Sequence, residues 1–356
     1  MVALSVLDQS TAAAGVPEPQ AIRDTVELAQ YCEKLGYKRF WVSEHHNHPT
    51  ILGTAPEILM AAIAQATEKI RIGSAGVMLP HYAPLKVAEQ FRVLDALAPG
   101  RIDLGLGRAP GSDGKTAFAL NPNANEDAEH FPANVRDLMA WVSGRPLLDG
   151  HPFGGIVAKP MSETSPEMWM LGTSDYGAQV AAHFGIPYCF AHFITDGRGV
   201  ERAFQVYRDN YNPSERFPDP IANVCVWALA AETDEDAERL FTSRAHWKVR
   251  REQGDLRAIE APDAISDFPY SDAEKARIAE LRAGAIIGTG KSVHEQLENL
   301  AAQYGIDEVV VLTWTHAQED RRNSYRLLGE AKAAVLTPSA TTASRRASAS
   351  ASSLLM

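Results

Sequence analysis

Along this chain, short apolar runs alternate with longer stretches whose apolar residues recur every three or four positions. Residues 4–7 (LSVL) read as a strand, and residues 19–35 as an amphipathic helix that Gly36 ends. The next strands fall at 40–42, 70–77 and 101–106, with helices at 55–66, 85–97 and 127–142. Further strands at 168–171, 186–190 and 221–230 precede helices at 176–184, 200–211 and from 234 onward. A last strand at 307–313 (DEVVVLT) leads into a helix at 319–334. Neighbouring parallel strands need crossovers of this kind, so the pattern predicts βαβ units. Eight of them predict a closed α/β barrel, the (β/α)₈ or TIM fold, in one domain over residues 1–336.

Two segments break the rhythm. Residues 253–284 are charged, carry Pro262 and Pro269, and precede a helix at 292–304; a short helix is expected near 272–282. A long insertion after the seventh strand reads as a mobile lid. Residues 337–356 are Ser- and Ala-rich without apolar periodicity, and a disordered tail is expected there.

Composition narrows the classes. Hydrophobic residues make up 45% of the 356, enough for one large core. Asp and Glu outnumber Lys and Arg 45 to 34, a formal charge of -11 that disfavours nucleic acid and anionic membranes as partners. Cys32, Cys189 and Cys225 are odd in number and far apart, which supports neither a disulfide framework nor a CxxC zinc site. The first residues lack a basic segment followed by a long apolar one, and no apolar run reaches spanning length. A cytoplasmic protein is expected.

In such a barrel the chemistry sits at the carboxyl ends of the strands. The second strand ends in WVSEHHNHP, one carboxylate followed by three histidines, which suits proton transfer or metal binding as well as a solvated loop. The fourth ends in GLGRAPG and the fifth in GTSDYG. Gly172, Thr173 and Ser174 there lead into a helix whose first amides suit a phosphate, although Ser and Thr are also common helix caps. Arg108 at the neighbouring strand end could add a guanidinium fork to that phosphate. The glycines around it do not open a helix as a dinucleotide loop does; they let a flat ligand approach the backbone. Ser74, Ala75 and Gly76 are small enough to admit a ring or to pack tightly. Trp169, Met170, Phe193 and Trp314 could line an apolar cavity, with core packing the readier role.

Taken together, WVSEHH, IRIGSAGVMLPHYAPLKVAEQ (70–90), LDALAPGRIDLGLGRAPG (94–111), WMLGTSDYGAQVAAHFGIP (169–187) and IIGTGKSVHEQL (286–297) resemble the bacterial-luciferase-like flavin-dependent monooxygenases. The resemblance runs from about residue 3 to 334 and lies closest to single-chain oxidoreductases of unassigned substrate. It implies reduced FMN supplied by a separate NAD(P)H:flavin reductase, with O₂ forming a flavin hydroperoxide that oxygenates a small, largely apolar molecule. It also implies that His45 is catalytic with Glu44 beside the flavin. Arg108, Ser174 and Thr173 would hold the phosphate beside Gly107 and Gly172, and Ala75–Gly76 would form a cis peptide under the ring. Family members often pair through helices on one side of the barrel. Gly107 stands where the luciferases themselves carry a cysteine, which separates this chain from light emission and long-chain aldehydes. Two alternatives remain: a deazaflavin-dependent oxidoreductase on the same barrel, and a metal-dependent hydrolase built on the His46–Asn47–His48 spacing with His192.

Overall fold

The computed structural model describes residues 1–336, so the tail from 337 lies outside the described residues. Its strands are β1 (Ala3–Asp8), β2 (Arg39–Val42), β3 (Arg71–Met78), β4 (Ile102–Gly107) and β5 (Glu167–Gly172), followed by β6 (Tyr188–Phe190), β7 (Ala222–Ala231), β8 (Ile286–Thr289) and β9 (Glu308–Leu312). The helices before β5 are α1 (Glu18–Lys34), α2 (Pro56–Ala66), α3 (Pro84–Leu97), α4 (Gly114–Leu120), α5 (Ala124–Glu129) and α6 (Phe131–Ser143). Those after it are α7 (Asp175–Phe184), α8 (His192–Thr195), α9 (Val200–Asp209), α10 (Asp234–Glu252), α11 (Asp272–Ala283), α12 (Gly290–Tyr304) and α13 (Gln318–Leu336).

Every pairing is parallel, and pairing of β6 with β7 closes an eight-stranded barrel in the order β1 to β7 and then β9. All eight expected strands are present, and the fold is the α/β TIM barrel. One strand was not foreseen. β8 lies outside the ring, against the last four residues of β7, with Ala228 opposite Ile286 and Ala231 opposite Thr289. One expected helix is also divided. The stretch read as 127–142 becomes α5 and α6, because Pro132 in the first turn of α6 cannot continue a preceding helix.

Alternation along each strand sorts the side chains into two cores. Val6, Phe40, Val42, Ile72 and Leu104 face the helices, where most of the buried apolar side chains lie. Leu7, Trp41, Trp169, Cys225 and Val310 point inward. At the amino-terminal end the interior is ionic rather than apolar. Arg39 reaches Asp103, Glu167 and Glu308 at 2.9 Å each, and Trp41 and Trp169 donate to Asp103 and Glu167. Burial alone would weaken the Arg39 charge, but its three carboxylates outweigh that and push its pKa up. This network plugs one end of the barrel and leaves the other for ligands. Among the described residues no helix is long and apolar enough to cross a membrane.

Candidate active site

A cavity of about 680 Å³ opens at the carboxyl ends of the strands. Nearly all the predicted site residues meet in it: His45, Ala75, Gly76, Gly107, Arg108, Gly172, Thr173 and Ser174 all line its wall. Glu44 does not. Successive side chains of extended backbone point to opposite sides, and Glu44 turns into the protein. Its Oε1 accepts from Tyr82 at 2.6 Å and pairs with His46 Nε2 at 2.8 Å; its Oε2 accepts from the amide of Met78 at 3.1 Å. These bonds all go to protein and orient the loop after β2.

His45 is held by its backbone, whose amide donates to Gly53 at 2.9 Å. Its Nδ1 is buried without a partner among the described residues. Burial pulls its pKa from 6.5 to about 4, helped by His48, His46 and Arg251 nearby. The imidazole is therefore neutral at pH 7. His48 does not aim into a metal site, for its Nδ1 accepts from the amides of Thr50 and Ile51 at 3.1 and 3.0 Å. Among the described residues no three His, Cys, Asp or Glu side chains are grouped to hold a metal.

The wall facing His45 is bare backbone. The peptide between Ala75 and Gly76 is cis. A Cβ on Gly76 would come within 2.7 Å of Leu171 Cδ1, and one on Gly105 within 2.1 Å of the Ser74 carbonyl. Packing behind this surface therefore accepts no larger side chain, while its front stays flat.

At the far side of that wall, Arg108 lies over Tyr176 with no carboxylate partner among the described residues. Beside it Ser174 begins α7 with extended backbone, and its hydroxyl makes no cap hydrogen bond. Plain capping, the competing role for this serine, is absent. The first-turn amides of α7 and a free guanidinium thus meet at one corner, the arrangement an oxyanion requires.

The family model for luciferase-like monooxygenases matches residues 2–308. The chain belongs to that family. An uncharacterised Bacillus subtilis protein, YwcH, is 44% identical over 93% of this chain and 99% of its own length. The N-acetyl-S-alkylcysteine monooxygenase of Bacillus subtilis is 36% identical, covering 93% and 98%. Among solved structures, apo-MsnO8 superposes with a TM-score of 0.83 at 36% identity, covering 93% of this chain and 98% of that one.

Much of the rest of the cavity comes from residues that the sequence did not single out. Helix α10 contributes Arg244, Trp247, Lys248 and Arg251 to the lining, and the strand after it in the ring adds Leu312. Phe193, Met170 and Trp314 also line it, whereas Trp169 sits in the barrel below. Cys189 and Cys225 face the cavity, and burial pushes both thiols up, so they are neutral there. Leu256 lines the cavity, and the segment after it is held to the barrel. Ile259 exchanges backbone hydrogen bonds with Ala12 and Ala14 at 2.9 and 2.8 Å, and the Arg257 carbonyl accepts from Thr50 at 2.6 Å.

Proposed function

We propose that this protein is an FMN-dependent monooxygenase that takes reduced FMN from a separate NAD(P)H:flavin reductase and uses O₂ to oxygenate a small, largely apolar organic molecule. One observation carries the reading. A single cavity joins an anion corner, with Arg108 over an uncapped helix start, to a flat wall at Gly76, where packing admits no larger side chain. A planar ring bearing a phosphate tail fits both parts. Buried polar atoms without partners at Gln9, His45, Trp227 and Trp314, all lining the cavity, suit the polar edge of such a ring. Membership of a monooxygenase family and the monooxygenase named for N-acetyl-S-alkylcysteine support the reaction class.

On this reading Arg108, Thr173 and Ser174 bind the phosphate, and Ala75, Gly76 and Gly107 lie against the ring. Bound reduced flavin supplies the electrons that activate O₂. His45 takes and returns a proton at Nδ1; because burial disfavours its imidazolium, the proton is given up readily. Trp247, Trp314 and Leu256 keep water from the reacting centre. Titration with reduced FMN, oxidised FMN and the deazaflavin cofactor, alongside metal analysis, tests the assignment. Stoichiometric FMN binding without bound metal is expected. Preference for the deazaflavin, or stoichiometric zinc without flavin binding, would replace it.

A further inference from the structure

Arg244 lies on α10 with 6% of its surface exposed and its guanidinium over the Trp227 ring, 4.3 Å from the centroid. Its N–H groups meet no hydrogen-bond acceptor among the described residues. A guanidinium carries five donors, and those of Arg244 open into the cavity without a protein acceptor among the described residues. The carboxylate that acts on it, Asp196, is already held by Lys248 Nζ at 2.6 Å and faces Arg277 at 3.8 Å. Glu280, which lines the same recess, is taken by Arg277 at 3.2 Å. Lys248 and Arg251 stand one and two turns beyond Arg244 on the same helix face. All three line the cavity. Arg251 rests over Trp247 at 5.5 Å and likewise has no carboxylate partner among the described residues. Burial lowers the Arg244 pKa to about 10, with Asp196 opposing, so it remains a cation at neutral pH.

This pole is separate from the phosphate corner. Arg108 rides on Tyr176 of α7, whereas Arg244 rides on Trp227 of β7. The recess around Arg244 is mixed, with Phe193, Trp227 and Leu281 alongside and Asp196, Arg277 and Glu280 at its polar side, whereas the larger cavity that it joins is mainly apolar. We propose that the substrate is an organic carboxylic acid with an apolar body, its carboxylate bound by Arg244 and its apolar part lying along the cavity toward the flavin wall. The stacked ring covers one guanidinium face and leaves the edge free, and that edge matches the two oxygens of a carboxylate. The substrate assignment rests on the flavin reading for the reaction, but binding of the acid can be measured without it.

The test is calorimetric titration with hexanoate and with 1-hexanol, which share the alkyl chain and differ in charge. The wild type should bind hexanoate about tenfold more tightly or better, the usual worth of a charge-assisted pair. Arg244→Met should remove the preference, Arg244→Lys should restore part of it, and Arg108→Ala should retain it. FMN affinity should be unchanged in Arg244→Met. If that variant fails to fold, Arg244→Gln serves in its place. Equal binding of the two probes by the wild type, or a preference that survives in Arg244→Met, would overturn the proposal. So would loss of FMN-over-riboflavin discrimination in Arg244→Met, which would give Arg244 to the cofactor phosphate. A wild type that ignores FMN yet still prefers hexanoate would overturn the flavin reading and leave the acid site standing.

Discussion

The indole N–H of Trp247 on α10 donates to the hydroxyl of Thr50, on the loop after β2, at 2.8 Å. That hydroxyl in turn donates to the carbonyl of Arg257 at 2.6 Å. One threonine therefore joins the His45 loop, a cavity wall and the segment that follows Leu256.

Thr50→Val keeps the shape and removes both bonds. Residues 253–261 should then exchange their amide hydrogens faster, on the order of tenfold for about 1 kcal/mol of lost local stability. Hydrogen exchange read by mass spectrometry checks this. Unchanged exchange would mean that Ile259 alone pins the segment.

His45 gives the protein a pH dependence of definite sign. Its folded pKa of about 4 lies below the ordinary 6.5, so the fold resists a proton that the unfolded chain accepts. Stability is full above pH 6.5 and is lost as the pH falls through 6.5 toward 4. His45→Gln should reduce that loss, by on the order of 2 kcal/mol between pH 7 and 4.5. Urea unfolding at the two pH values measures it, and an unaltered difference would show that His45 is not buried as the neutral form.

Gly105→Ala probes the packing behind the flat wall. Its Cβ would meet backbone, the Ser74 carbonyl at 2.1 Å, rather than a side chain that can move aside. A cost of about 1–3 kcal/mol and a fall of several degrees in Tm are expected. A melting temperature equal to wild type would show that β3 and β4 can separate at no cost.

The barrel was legible because its strands are covered on both faces and stand out as apolar runs, as at residues 309–312. β8 was not, since its four residues (IIGT) hold only two large apolar side chains at the end of a charged insertion. Most of the site could be placed from strand ends alone. The resemblance grouped Glu44 with His45, yet adjacency in extended backbone sends the two side chains to opposite sides. Arg244, Lys248 and Arg251 were hidden for a different reason. In a strongly charged helix they read as a solvated face, and only the packing of α10 against β7 turns them inward.

The most direct test of the flavin site compares FMN with riboflavin, which differ only in the phosphate, in wild type and Arg108→Ala. The account predicts that Arg108→Ala loses FMN affinity by tenfold or more, about 1.4 kcal/mol, while riboflavin affinity barely changes. Equal losses for the two ligands, or none for either, would place the phosphate away from Arg108 and α7 and contradict it.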